Sequence, residues 1–447
     1  MASHDLSVSQ GVSFRAALRF WVGLGFISFG GPAGQIALMH RALVDERRWI
    51  SEHRFLHALN YCMVLPGPEA QQLATYLGWL MHGTFGGIIA GLCFILPSLV
   101  ILVFLSWVYV TFGSLPLVDA IFQGVKPAVI AVVIQACHRL GSRTLKGPWL
   151  WGLAGLALFA TFVGIPFPII ILGAAACGWL GGHFVPAGFA TNASHATGTR
   201  PSAPALIDDD TPTPAHARPK RGQLLTVILS GVGLWGAAIT LLGIVFGYPH
   251  LLLTTALFFT KAALLTFGGA YAVLPYVHEG AVQTYGWLTS GQMLDGLALG
   301  ETTPGPLIMI VSFVGYLAGH GEAYLGPQQA NVAGVLTAAV ATGFTFLPSF
   351  IFVLAGGPWV EASRNKPGYT AVLTAISAAV VSAILNLAWV LAGHIILPTG
   401  EWGAIDLTAL AIALASVVAL VIYKRQVVEV LAAASALGAA GHLLATP

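Results

Sequence analysis

The sequence predicts an all-α polytopic membrane protein made of two repeats of inverted topology. Hydrophobic residues make up 57% of the 447 positions and charged residues only 8%, whereas about a quarter of the residues in soluble proteins are charged. A soluble fold could not bury this much apolar surface, so the lipid bilayer is the expected solvent. Motifs that recur at a fixed distance predict the two repeats, and the placement of lysine and arginine predicts their opposite orientations.

Two short motifs of glycine and proline occur twice at the same spacing. A Phe-Gly-Gly motif begins at Phe29 and again at Phe267, and a Pro-Gly-Pro motif begins at Pro66 and again at Pro304, both 238 residues apart. Both motifs break helices, yet they lie in apolar segments. In membrane proteins, interrupted hydrophobic segments at matching places in two halves point to the binding site of a transporter.

The chain divides into five parts. An N-terminal tail (1–13) is followed by the first repeat (14–182), a polar linker (183–222), a linking transmembrane helix (223–247) and the second repeat (251–445). The linker is rich in Ser, Thr, Ala and Pro and carries an acidic triplet. This composition cannot build a core, so we expect the linker to be flexible.

Nine uninterrupted apolar runs are long enough to cross a bilayer, which takes about 17–25 residues. These runs are 84–109, 115–137, 147–164, 165–182, 223–247, 330–356, 369–393, 404–423 and 425–445. Four further apolar segments are interrupted near their centres, namely 14–40, 57–82, 251–284 and 290–320. Each of the four is either one kinked span or a re-entrant helical hairpin whose tip reaches the middle of the membrane.

The distribution of basic residues favours hairpins. If all four interrupted segments are hairpins, 17 of the 19 lysine and arginine residues fall on one side of the membrane, and the other two, Lys126 and Lys261, lie within membrane segments. The positive-inside rule makes this side the cytoplasm, together with the N-terminus and the linker. Each repeat then contains two hairpins followed by four transmembrane helices, and the linking helix reverses the second repeat.

The four interruptions predict a small binding site for an anion. Such breaks are tolerated within a membrane only around a protein-lined or wet cavity, and the second arm of each hairpin would point its N–H groups and positive dipole end at that cavity. Alternatively, the motifs merely kink helices for packing, but their occurrence twice in register favours a site. The candidate substrate-binding residues are Ser28, Phe29, Gly30, Gly31, Pro32, Gln35, Pro66, Gly67, Pro68, Glu69, Gln71, Lys261, Thr266, Phe267, Gly268, Gly269, Thr303, Pro304, Gly305 and Pro306.

Charged residues inside the apolar segments have competing interpretations. Glu69 and Glu301 lie beside the two Pro-Gly-Pro motifs, and a carboxylate at membrane depth indicates a function by default; each is a candidate for proton coupling or for capping a hairpin tip. Lys261 either attracts the anion or extends to the membrane surface. Asp119 and Lys126 are expected to form a structural ion pair, because they lie on one face of a helix.

The sequence contains no signature of an enzyme. It has no HExxH or GxSxG motif, and its four cysteines stand alone in apolar runs without a neighbouring histidine cluster. We therefore expect no metal site, no cofactor and no nucleic-acid partner.

Several runs of residues resemble the bacterial chromate ion transporter family in its long, two-repeat form. The runs that carry the resemblance are 26–35, 47–51 and 59–70 in the first half, and 265–270, Trp287 and 303–306 in the second. The resemblance implies a multi-pass protein of the inner membrane that exports chromate from the cytoplasm, with sulfate as a structural mimic. A homodimer is compatible with it. One departure is Gly23, which stands where a basic residue is expected, with Arg19 as the candidate substitute.

The membrane potential suffices to drive such an export. An inside-negative potential of about 100 mV contributes about 4.6 kcal/mol for each dianion that leaves, at about 2.3 kcal/mol for each charge. Proton exchange is therefore an optional addition. The alternative function is a passive or sulfate-type oxyanion channel or transporter.

Overall fold

The computed structural model describes residues 12–29, 31–113, 115–184, 205–208, 211, 214–267, 269–362, 370–397 and 405–445. Within these ranges the chain forms sixteen α-helices, and its only β-type pairing is one isolated bridge. Six helices are long and apolar enough to cross a membrane by length and composition. The prediction of an all-α polytopic membrane protein is confirmed, whereas the inverted orientation of the repeats stays a prediction.

The first repeat contains seven helices. They are α1 (Phe14–Ile27), α2 (Gly31–His40), α3 (Glu52–Val64), α4 (Glu69–Phe112), α5 (Pro116–Thr144), α6 (Pro148–Phe162) and α7 (Phe167–Phe184). Side chains stabilise the first turns of α1 and α3, where the hydroxyls of Ser13 and Ser51 accept backbone N–H groups. Helices α5 and α6 instead begin with proline, whose missing N–H costs nothing in the first turn.

The linking helix and the second repeat contain nine helices. They are α8 (Arg221–Phe246), α9 (Leu251–Leu265), α10 (Leu274–His278), α11 (Ser290–Thr302), α12 (Ile310–Glu322), α13 (Ala330–Ala362), α14 (Thr370–Ile396), α15 (Leu407–Val417) and α16 (Val427–Ala445). Each of the nine predicted uninterrupted runs lies largely in a helix, although the run 84–109 is only the second part of α4 and the run 404–423 continues past α15 as a π-helix over Val418–Ile422. Each of the four interrupted segments is broken at its Phe-Gly-Gly or Pro-Gly-Pro motif, between α1 and α2, α3 and α4, α9 and α10, and α11 and α12.

Helix α4 folds back on itself near its first third. The backbone is non-helical at His82 and Gly83, and Gly83 has φ +66°, a left-handed conformation that favours glycine. The two arms then pack antiparallel through glycine, since a Cβ atom on Gly78 would overlap the carbonyl oxygen of Gly86. The second repeat has the same arrangement, because a Cβ atom on Gly315 of α12 would lie 2.8 Å from a carbonyl oxygen of α13. Small residues thus allow these helices to approach closely.

Two buried ion clusters join the repeats. In the first cluster, the Arg54 guanidinium lies 4.0 Å from the Glu361 carboxylate, and the Tyr76 hydroxyl donates to the same carboxylate at 2.7 Å. In the second cluster, the Lys126 ammonium lies 3.6 Å from Asp295, which also accepts the Tyr109 hydroxyl at 2.8 Å. In both clusters the carboxylate comes from the second repeat and its partners come from the first.

The predicted ion pair between Asp119 and Lys126 is wrong. Seven residues along a helix correspond to a rise of about 10.5 Å, which is too long for direct contact even on one face. Asp119 is exposed near the start of α5, where its carboxylate accepts a hydrogen bond from the Gln123 side-chain amide at 3.5 Å. Lys126 instead reaches Asp295 on α11, a partner that is distant in sequence.

Part of the segment that we expected to be flexible lies against the first repeat. Ile207 forms a parallel bridge with Ile50, the Arg54 side chain donates to the Thr211 carbonyl at 2.7 Å, and the His216 ring bonds to the Trp79 carbonyl at 2.9 Å. The described part of the linker therefore differs from an unstructured connection. The average composition of the linker does not reveal this short stretch, because the contacts of the stretch are made largely by backbone atoms.

Candidate functional site

The two Pro-Gly-Pro motifs lie against the Phe-Gly-Gly breaks of the opposite repeat. The Gly67 N–H donates to the Thr266 carbonyl at 2.7 Å, and the Gly305 N–H donates to the Ser28 carbonyl at 2.8 Å. Gly67 and Gly305 are 238 residues apart, and so are Ser28 and Thr266. The two hydrogen bonds are therefore repeat-equivalent, and they join the four interruptions in two pairs, each pair made of one interruption from each repeat.

Only glycine fits at the centre of each Pro-Gly-Pro motif. Gly67 has φ +124° and Gly305 has φ +104°, in the region where a side chain is strained. A Cβ atom on Gly67 would also overlap the Ser349 hydroxyl, and one on Gly305 would meet the Cβ of Ser98 at 2.5 Å. Each Pro-Gly-Pro motif thus packs closely against the other repeat.

Ser98 and Ser349 are site residues that the candidate list lacks. They follow Pro97 and Pro348, and the two Pro-Ser pairs recur at a distance of 251 residues. This recurrence is the signal that could have found them, since the Phe-Gly-Gly and Pro-Gly-Pro motifs at the candidate site recur in the same way. Both serines are buried.

Two glutamine side chains hold the motifs in place. The Gln35 amide group donates to the Gly305 carbonyl at 2.5 Å and to the Ser28 carbonyl at 3.2 Å. The Gln72 amide group donates to the Pro66 carbonyl at 2.7 Å and to the Ser349 hydroxyl at 3.4 Å. Among the described residues, the carbonyl oxygens of both glutamines have no hydrogen-bond partner although they are buried. The site therefore contains buried polar atoms without hydrogen-bond partners among the described residues.

Both candidate carboxylates reach the same loop. Glu301 is buried and accepts the Tyr271 hydroxyl at 2.5 Å. Glu69, the first residue of α4, has a carboxylate oxygen 4.0 Å from the position that a Cβ atom would take on Gly269. Although the two glutamates are not repeat-equivalent in sequence, both approach the loop 269–271, which begins with the last glycine of the second Phe-Gly-Gly motif. A change in the charge of either one would act on that loop.

Comparison with known proteins now identifies the family. The family model described as "Chromate transporter" matches residues 15–179 and 253–439, so it covers both repeats and more than half of the chain. The chain belongs to the chromate transporter family. The resemblance seen in the sequence is thereby confirmed, and the protein is a membrane transporter by family.

Curated relatives agree with this assignment over most of the chain. A "Chromate transport protein" of Pseudomonas aeruginosa is 36% identical over 364 residues, which are 80% of this chain and 76% of the relative. A "Probable chromate transport protein" of Synechococcus elongatus is 30% identical over 86% of both chains. A "Chromate transport protein" of Cupriavidus metallidurans is 28% identical over 98% of this chain and 95% of the relative. No solved structure matches the chain.

In this member of the chromate transporter family, some candidate residues take no part in the contacts between the Phe-Gly-Gly and Pro-Gly-Pro motifs. Lys261 is exposed on α9, and no ion pair links it to another described residue. Gln71 and Thr303 are buried but bond within their own segments, to Thr75 at 2.9 Å and to the Gly300 carbonyl at 3.1 Å. Phe29 is 44% exposed.

The remaining candidates occupy the turns themselves. Gly31 and Pro32 begin α2, Pro68 and Pro306 precede the helical turns that follow the second motifs, and Pro304 and Phe267 lie in the loops. Gly30 and Gly268 lie outside the described residues. Among the residues that the structure describes, no group of three or more His, Cys, Asp or Glu side chains could hold a metal ion.

Proposed function

We propose that the protein is a secondary transporter that exports chromate from the cytoplasm across the inner membrane. The observation that carries this proposal is the reciprocal pair of hydrogen bonds from Gly67 to Thr266 and from Gly305 to Ser28. These bonds join parts of different repeats, so a movement of one repeat against the other would break them. The two N–H groups would then be free to bind an anion between the motifs.

A tetrahedral dianion suits such a site. Backbone N–H groups at the start of helices stabilise negative charge, and Gln35 supplies a further amide donor beside Gly305. Glycine at both motif centres keeps side chains out of the way of the ligand. We propose that all four interrupted segments are re-entrant hairpins in repeats of opposite orientation, with the N-terminus and the linker in the cytoplasm.

Glu69 and Glu301 are the proposed proton carriers if export is coupled to protons. An ionised carboxylate would repel the anion, whereas a protonated one would not. Both side chains reach the loop 269–271, so proton binding at this loop would change the charge beside the second Phe-Gly-Gly motif. The membrane potential alone drives export in the absence of this coupling.

Transport by inside-out membrane vesicles tests the proposal. In these vesicles cellular export becomes uptake, and a potential that is positive inside the vesicle corresponds to the cellular potential. We expect saturable uptake of labelled chromate that increases with this potential and that excess sulfate reduces. Vesicles without the protein are the control.

Two other outcomes would contradict parts of the proposal. No uptake above the control, with folded protein present, would rule out chromate transport. Uptake that does not saturate and proceeds far faster than alternating access allows would indicate the passive channel instead. An effect of an imposed pH gradient would support proton coupling, and its loss in Glu301→Gln would assign the coupling to Glu301.

A further inference from the structure

The hydroxyl group of Ser98 is buried and has no hydrogen-bond partner in the part of the chain that the structure describes. Ser98 lies on α4 with no exposed surface, and its Oγ has no hydrogen bond to any described residue. Other buried serines nearby bond to the carbonyl oxygen four residues earlier, as Ser28 does with Leu24 at 2.5 Å and Ser106 with Leu102 at 2.6 Å. The Ser98 hydroxyl makes no such bond to Phe94, so it is available to another group.

This hydroxyl faces the second Pro-Gly-Pro motif. Its Oγ lies 2.9 Å from the position that a Cβ atom would take on Gly305. The Gly305 N–H is held by the Ser28 carbonyl of the same repeat as Ser98. The Ser98 hydroxyl, a possible donor, therefore lies against the residue whose backbone N–H is the second donor of this motif.

The repeat explains why the hydroxyl lacks a partner. At the first Pro-Gly-Pro motif, the equivalent serine, Ser349, accepts a hydrogen bond from Gln72 at 3.4 Å. The position equivalent to Gln72 in the second repeat, 238 residues later, is Ile310, which has no donor to offer. At the second Pro-Gly-Pro motif, Ser98 therefore lacks the counterpart of Gln72 and has no hydrogen-bond partner among the described residues.

We propose that the Ser98 hydroxyl is a direct ligand of the transported oxyanion, together with the Gly305 N–H. This inference rests on the proposed function and deepens it by assigning one half of the site. When the motif moves away from Ser28, the two donors bind two oxygen atoms of the same tetrahedral anion. A buried donor without a protein partner is costly, and the anion removes that cost.

The test compares Ser98→Ala with Ser106→Ala in inside-out vesicles. Ser106 is a matched control, because it is equally buried on the same helix but its hydroxyl bonds to its own helix. We expect Ser98→Ala to raise the KM for chromate about tenfold, as the loss of one hydrogen bond to a charged group does, while the maximal rate stays within about twofold. Ser106→Ala should leave both values unchanged.

An unchanged KM in Ser98→Ala would overturn the proposal, and so would a lower maximal rate without a change in KM. Equilibrium dialysis of the purified protein against labelled chromate and labelled sulfate provides a second readout. We expect Ser98→Ala to weaken binding about tenfold there as well. If the wild type binds these anions but does not transport them, the proposed function fails while the assignment of Ser98 is still tested by dialysis.

Discussion

Replacing Gly305 with valine is expected to abolish chromate transport while the helices stay folded. Valine has a strained backbone at φ +104°, and its Cβ atom would overlap Ser98 of the opposite repeat. If strain and overlap together cost about 3 kcal/mol, fewer than about one molecule in a hundred keeps the observed position of the motif. The same result is expected for Gly67→Val, because Gly67 has φ +124° and faces Ser349.

Uptake of labelled chromate by inside-out vesicles, normalised to the amount of folded protein, measures this effect. Gly343→Val is the matched control, since Gly343 is exposed on α13 and an added Cβ atom meets nothing within 4 Å. We expect the control to transport at nearly the wild-type rate. Wild-type transport by Gly305→Val would show that the motif is not part of the site.

Replacing Glu361 with alanine is expected to destabilise the protein by about 3–5 kcal/mol, the usual result of removing one partner of a buried ion pair. The side chains of Arg54 and Glu361 are only 1% and 2% exposed, so the Arg54 charge would be left in a site with little solvent. The Tyr76 hydroxyl would lose its acceptor as well. Because the pair joins the two repeats, we expect Glu361→Ala to lower the free energy of unfolding of the whole protein.

Thermal or denaturant unfolding in detergent measures this loss. Glu429→Ala is the matched control, because Glu429 lies 4.0 Å from Arg425 in an exposed pair with side-chain exposures of 53% and 69%, which contributes less than about 1 kcal/mol. Equal stability losses in Glu361→Ala and Glu429→Ala would contradict the role of the buried cluster. A smaller loss in Glu361→Gln is expected, since its amide oxygen still accepts Tyr76.

The positions of the helices and their breaks could be predicted from the sequence because both depend on local chemistry. Apolar runs of sufficient length define the spans, and the Phe-Gly-Gly and Pro-Gly-Pro motifs define the breaks through glycine and proline. The expectation that the breaks converge rested on their recurrence in two repeats. The contacts between Gly67 and Thr266 and between Gly305 and Ser28 fit that expectation.

Pairings across the repeats could not be predicted, because they depend on the approach of helices that are distant in sequence. Lys126 was assigned to Asp119 on its own helix, whereas Asp295 on α11 lies 3.6 Å away. Ser98 is not among the residues that the sequence predicts for the site, since its burial and its lack of a hydrogen-bond partner among the described residues appear only after α4 packs against the second Pro-Gly-Pro motif. The approach of Glu69 and of Glu301 to the same loop, 269–271, likewise depends on the packing.

A structure of the protein crystallised with chromate tests the location of the site most directly. Anomalous scattering from chromium would locate the bound anion without reference to its transport. We expect one chromium peak between the two Pro-Gly-Pro motifs, within hydrogen-bonding reach of the Gly305 N–H and the Ser98 hydroxyl. A chromium peak elsewhere in the membrane region, with the hydrogen bonds from Gly67 to Thr266 and from Gly305 to Ser28 intact, would contradict this expectation.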